Sequence, residues 1–200
     1  MSKIVVVGAN HAGTCAINTI TGFNEGDEVV VFDQNSNISF LGCGMALWIG
    51  GQISKPDGLF YSNKEKLESQ GAKVNMNSKV ENIDFDKKVV IATLEDGKEV
   101  EESYDKLILS PGAKPFVPAI EGLAEAKNAY TLRNIPDLDE IMATLDNQPK
   151  EAVVIGAGFI GLEMAENLTK HGLQVTIVEK APHVLPPLDQ EMAAFVQTEL

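Results

Sequence analysis

Two cysteines, Cys15 and Cys43, are all that this 200-residue chain contains. They form no CxxC pair, so a disulfide scaffold is excluded; in a chain of this kind a cysteine is reactive or simply buried, and the sequence reads as cytoplasmic. Basic residues are also few, 16 Lys+Arg against 29 Asp+Glu for a net charge of −13. That balance argues against a sequence-independent grip on nucleic acid or on an anionic membrane, both of which need basic surface. A single bound anion stays open, because a helix N-terminus can hold a phosphate without a lysine. Long apolar runs are missing as well: none approaches the ~18 residues of a membrane span. Ile4–Val7, behind one lysine, is too short for the core of a signal peptide. What remains is 44% hydrophobic and 22% charged, ordinary for a globular protein, with chain enough for one large domain or two small ones.

The chain does contain an internal repeat. Ile4-Val5-Val6-Val7-Gly8-Ala9-Asn10-His11-Ala12-Gly13 returns as Ala152-Val153-Val154-Ile155-Gly156-Ala157-Gly158-Phe159-Ile160-Gly161. Each copy continues into a helix-length segment and a second β-branched run that ends in an acid, Val29–Phe32 before Asp33 and Val175–Val178 before Glu179. The fold class is therefore α/β, with two Rossmann-like β-α-β starts in tandem.

Between the copies, Ser62-Asn63-Lys64-Glu65 reads as a capping box opening a helix to about Gln70. Alternating runs at Val80–Phe85, Val89–Leu94 and Lys98–Glu101, with an Asp96-Gly97 turn, predict a meander. Leu107–Leu109 reads as a buried strand, followed by the proline- and glycine-rich crossover Ser110–Gly122. Asn134 with Pro136 opens a helix to about Leu145, and Asp189 opens the last one. The expected division is 1–112, a linker at 113–122, and 123–200.

Gly156-x-Gly158-x-x-Gly161 follows a strand, opens a helix and has Glu179 at the end of the next strand, the full context of a dinucleotide site. The first glycine allows the turn, the second lets the backbone approach a pyrophosphate, and the third lets helix pack on strand. Glu179 can accept from both ribose hydroxyls and would repel a 2′-phosphate, which favours NAD over NADP. In the first copy Gly8 and Gly13 keep the outer positions and Asn10 replaces the middle glycine; Asn tolerates unusual backbone angles, and Asp33 still offers the ribose acceptor. Two such units suggest two different dinucleotides, a flavin and a nicotinamide.

Gly42-Cys43-Gly44 runs from a loop into a short helix, where a first-turn thiolate would be stabilised by unpaired amides and flanking glycines would admit a flat ligand. A buried small hydrophobe is the alternative for Cys43. Cys15, near Ala12, Ala16 and Ile20, is expected in the core. His11 lies at a helix N-terminus, where positive charge is disfavoured, so a neutral ring that accepts a hydrogen bond from a thiol, sulfenic acid or peroxide is one reading and a loop filler the other. His171 and His183 read as structural.

Gly8-Ala9-Asn10-His11-Ala12-Gly13, Asn37-Ile38-Ser39-Phe40-Leu41-Gly42-Cys43-Gly44 and Tyr104-Asp105-Lys106-Leu107-Ile108 resemble the bacterial NADH oxidase/NADH peroxidase flavoproteins of the pyridine nucleotide-disulfide reductase group. The resemblance covers essentially the whole chain. It implies FAD in the first fold, NADH in the second, Cys43 cycling between thiolate and sulfenic acid, and His11 as the neighbouring acid/base. FAD would lie against Gly8, Ala9, Asn10, His11, Ala12, Gly13, Asp33, Gln34, Cys43, backbone near Val80, the Ser110-Pro111-Gly112 turn and Arg133. NADH would meet Gly156, Gly158, Phe159, Ile160, Gly161 and Glu179.

Phe159 stands where relatives often carry a tyrosine over the flavin, so no phenol is supplied there. Trp48 stands where disulfide reductases carry a second cysteine, and coenzyme A-disulfide reductases more often show Asn-Cys than Gly42-Cys43. The resemblance thus implies a water-forming oxidase in which peroxide formed from oxygen is reduced by Cys43. A peroxidase using hydrogen peroxide from outside, a coenzyme A-disulfide or persulfide reductase, and a flavin-binding redox sensor without turnover remain as alternatives. It also implies a longer protein, homodimeric or larger, of which these residues are an N-terminal part that alone is inactive and binds FAD weakly or not at all.

Overall fold

The structure, a computed structural model, describes residues 1–23 and 26–200. The elements in chain order are β1 (Lys3–Val7), α1 (His11–Gly22), β2 (Glu28–Phe32), α2 (Met45–Ile49), α3 (Lys64–Ser69), β3 (Ala72–Asn75), β4 (Lys79–Asp84), β5 (Val89–Thr93), β6 (Glu99–Ser103), β7 (Lys106–Leu109), α4 (Ile135–Leu145), β8 (Glu151–Ile155), α5 (Phe159–Lys170), β9 (Gln174–Val178) and α6 (Gln190–Thr198). They fall into two compact units, Met1–Leu41 with Leu59–Lys114 and Gly42–Gly58 with Pro115–Leu200. Contacts thus group residues 42–58 with the second half of the chain, whereas the motif-based division keeps them in the first.

In the first unit β3, β2, β1 and β7 form a parallel sheet in that order. Its central strands are valine runs because both faces are covered, which removes the alternation an open face would impose. Val6, Val29 and Val31 pack with Ile17 of α1 and Leu67 of α3. Val5, Val30 and Phe32 pack on the other side with Val90, Ala92 and Tyr104. That second layer is the antiparallel sheet β4-β5-β6, with a register shift between Val80 and Asn82. Ile17 is fully buried, so truncation to alanine removes about 2–5 kcal/mol of packing.

In the second unit β8 and β9 pair in parallel around α5. The cysteine-bearing segment belongs here. A 3-10 turn, Gly42–Gly44, leads into α2, which packs on α5 where Gly50 meets Asn167; a Cβ on Gly50 would lie 1.9 Å from Asn167 Oδ1. Asn167 is buried and donates through Nδ2 to the Glu163 carbonyl at 2.8 Å.

Two local expectations change. Cys15 is exposed, not core: Gly13, Thr14 and Ile17 form the buried stripe of α1, and at 100° per residue Cys15 turns away from it. The helix opening at residue 62 takes Asn63 as its cap, with Asn63 Oδ1 accepting from Lys66 N at 2.8 Å, and Ser62 stands one position before it. No helix among the described residues is long and apolar enough to cross a membrane.

Candidate functional site

Both glycine loops are built the same way. After the first strand the loop glycine donates back to the end of the second strand, Gly8 N to Phe32 O and Gly156 N to Val178 O, each at 2.8 Å. The next residue donates to the acid beyond that strand, Ala9 N to Asp33 Oδ2 and Ala157 N to Glu179 Oε2, each at 2.6 Å. Six residues after the acid the chain returns in a left-handed conformation and donates to the same alanine: Ser39 N (φ 59°) to Ala9 O at 3.2 Å, and Leu185 N (φ 48°) to Ala157 O at 2.8 Å. This return strap is invisible in the sequence, because Ser39 and Leu185 share no side-chain chemistry.

The outer glycines are enforced by contact. A Cβ on Gly13 would fall 1.8 Å from Gly8 O, and one on Gly161 would fall 1.9 Å from Gly156 O, so each helix sits on its own loop with no room for a side chain. Gly8, at φ +92°, is also closed by Ser110, whose carbonyl would lie 2.1 Å from an added Cβ. Ser110 Oγ donates to Gly8 O at 2.8 Å, so the Ser110-Pro111-Gly112 turn is held against the first loop; Gly112 takes φ 74°. The central position differs. A Cβ on Gly158 would meet nothing, leaving open space over the second loop, whereas Asn10 fills that position in the first.

These residues fit a bound dinucleotide on structural grounds. Asn10 Oδ1 is buried without a hydrogen-bond partner among the described residues, an acceptor awaiting a donor. Neither Asn10 nor Gly158 caps its helix with a side-chain bond, so the first-turn amides of α1 and α5 keep the capacity to bind phosphate oxygens. Asp33 is 5% exposed and its Oδ1 accepts from Asn35 N and Nδ2 at 2.8 and 2.9 Å; Oδ2, which accepts from Ala9 N, retains a lone pair for a ribose hydroxyl. Glu179 Oε1 accepts from Ala181 N at 2.7 Å. The Ala181 and Ala157 amides hold its carboxyl below the ordinary carboxylate value.

Around these loops, Gln34 is exposed and Val80 is half-buried in the meander. Arg133 is half-buried just ahead of α4, where its amide donates to Asp137 Oδ2 at 2.8 Å. Phe159 and Ile160 open α5 at 60% and 61% exposure, giving the second loop an apolar rim. Ala12 and His11 are exposed at the start of α1. His11 Nδ1 lies 3.1 Å from the hydroxyl of Tyr61, a residue outside every sequence motif. Cys43 is exposed and unbridged within the 3-10 turn, ahead of α2 rather than inside its first turn. His183 Nδ1 lies 2.8 Å from Val184 O, and His171 is the C-cap of α5.

The profile of one family, pyridine nucleotide-disulphide oxidoreductase, matches residues 2–200. The chain belongs to that family. Among its oxidoreductase relatives, the NADH oxidase of Streptococcus pyogenes serotype M6 is 53% identical over 192 residues, covering 90% of this chain and 42% of that protein. Reduced Bacillus anthracis CoADR-RHD superposes with a TM-score of 0.95 at 41% identity, over 99% of this chain and 36% of the other. The water-forming NADH oxidase from Lactobacillus brevis, bound to NADH, superposes at 0.93 with 37% identity, over 100% and 44%. The chain therefore spans less than half the length of the relatives it matches. The resemblance carried by the Gly8–Gly13 and Asn37–Gly44 motifs is borne out at the level of family and fold.

Proposed function

We propose that this chain carries the FAD-binding and NADH-binding loops and the redox cysteine of a cytoplasmic, FAD-dependent NADH oxidase that reduces oxygen to water. The observation that carries the reading is the pair of equivalent loops, each with an acid anchored on a loop amide, in one chain with Cys43 unbridged and exposed between glycines. In this reading residues 1–112 serve FAD, 113–122 form the crossover and 123–200 serve NADH, while the whole protein works as a homodimer or larger assembly.

FAD, when bound, supplies hydride acceptance from NADH and two-electron transfer onward. Asp33 and Glu179 orient the two riboses through the lone pairs left after their amide contacts. The first-turn amides of α1 and α5 hold the pyrophosphates, with Asn10 Oδ1 accepting a ligand hydroxyl or amide proton. The Cys43 thiolate attacks one oxygen of hydrogen peroxide: an S–O bond forms, the O–O bond breaks, and the leaving oxygen departs as water after taking a proton. Reduction of the resulting sulfenic acid by a second NADH returns the thiolate and releases a second water. Glu179 favours NADH because its charge repels a 2′-phosphate.

The likeness to CoADR-RHD favours a second reading, reduction of a coenzyme A disulfide through Cys43. Anaerobic NADH titration of the full-length protein separates the two. The oxidase, starting from the sulfenic acid, takes up two equivalents of NADH per subunit and Cys43→Ser takes up one. Sustained NADH consumption with coenzyme A disulfide under the same anaerobic conditions supports the reductase instead.

A further inference from the structure

Tyr61 is held against His11 by a dedicated piece of backbone. The phenol oxygen lies 3.1 Å from His11 Nδ1, and the two rings are nearly parallel, 11° apart with centroids 5.6 Å from each other. Phe40 and Phe60 form an antiparallel bridge just before Tyr61, and Leu41 N donates to Leu59 O at 2.7 Å. Ser39 closes the arrangement. Its fully buried hydroxyl accepts from Tyr61 N and Ser62 N at 3.2 and 2.8 Å and donates to Ser62 O at 2.7 Å, while its own amide donates to Ala9 O. The backbone of Tyr61 is thereby tied, through one serine, to the loop that begins α1 and carries His11.

A neutral imidazole has one N–H, and the hydrogen bond made by one ring nitrogen decides where that proton sits. A phenol is the stronger donor of this pair, so a Tyr61 O–H pointing at Nδ1 leaves the proton on Nε2. We propose that Tyr61 is a positioning residue that fixes the ring proton of His11 on Nε2, so that Nε2–H is the donor this histidine offers to the dinucleotide held by the first loop. This rests on the proposed function. The acceptor role open to His11 from sequence alone is thus replaced by a donor role, and the change comes from Tyr61.

The test uses the full-length holoenzyme labelled with 15N-histidine, at about pH 8, where an ordinary imidazole is neutral. His11 is assigned as the signal lost in His11→Gln. The wild type is expected to show a protonated-type Nε2 and an unprotonated Nδ1, and Tyr61→Phe to show averaged shifts from exchanging tautomers. Tyr61 is 42% exposed and the phenylalanine keeps the ring stack, so the variant removes the hydroxyl without opening a buried void. A wild-type proton on Nδ1, or a His11 pattern unchanged in Tyr61→Phe, overturns the proposal. A protein that reduces neither oxygen nor peroxide contradicts the proposed function instead, and the tautomer pattern still decides the role of Tyr61 in holding the ring.

Discussion

Glu179 rests its charge on backbone amides rather than on a cation, and the consequence is readable in acid. Its folded pKa lies below the ordinary 4.5, with the Ala181 amide as the first cause and the Ala157 amide as the second. A depressed carboxyl contributes stability that is fully present above the unfolded value and is lost as the pH falls through the folded one. The melting temperature of Glu179→Gln is therefore expected below that of wild type at about pH 6, with the gap closing toward about pH 3. A gap that stays constant or widens on acidification contradicts the anchoring role. Single residues were legible where their chemistry is local: Gly13 and Gly161 had to be glycine, and the closed space above them shows why. Ser39 and Tyr61 were not legible, because their role comes from contacts with Ala9 and His11 that no spacing rule encodes. Cys15 was misread because apolar neighbours in sequence were taken for a shared helix face.

At the scale of elements, α4 shows how a helix start is written in short-range chemistry. Asn134 Oδ1 accepts from Asp137 N at 3.0 Å, and Asp137 Oδ2 in turn accepts from Arg133 N and from Thr131 Oγ1 at 3.1 Å. Asn134→Ala is expected to cost about 1 kcal/mol, read as a lower urea midpoint at unchanged slope; an unchanged midpoint would mean that the cap is replaced by solvent. The same kind of signal exposed α6 through Asp189 and the meander through its alternation and the Asp96-Gly97 turn. It failed for β3. Ala72–Asn75 is four residues long with no β-branched run, and it becomes a strand by pairing with β2 and burying Ala72 and Val74 beneath α3.

At the scale of the molecule the two units differ in how completely their sheets are covered. The first has a four-stranded sheet with helices on one face and a meander on the other. The second has two strands, with Val153, Ile155 and Val178 exposed at 64%, 54% and 51%. A two-stranded sheet with an open apolar face is marginal by itself. In the 200-residue chain, amides of β1 and β2 are expected to exchange at least about 100-fold more slowly than those of β8 and β9; equal protection would contradict this difference. The tandem repeat made both nucleotide folds legible from their glycines and acids. It could not show that Gly42–Gly58 joins the second unit, since that rests on Gly50 lying against Asn167 across more than half the chain.

The central claim is that the two loops feed one redox cysteine that completes the reduction of oxygen to water. Oxygen consumption and hydrogen peroxide release, measured together against NADH oxidation in the full-length protein, test it directly. The account predicts two NADH per oxygen with no peroxide released by the wild type, and one NADH per oxygen with stoichiometric peroxide from Cys43→Ser. A Cys43→Ser protein that still forms water at the wild-type rate and ratio would contradict it.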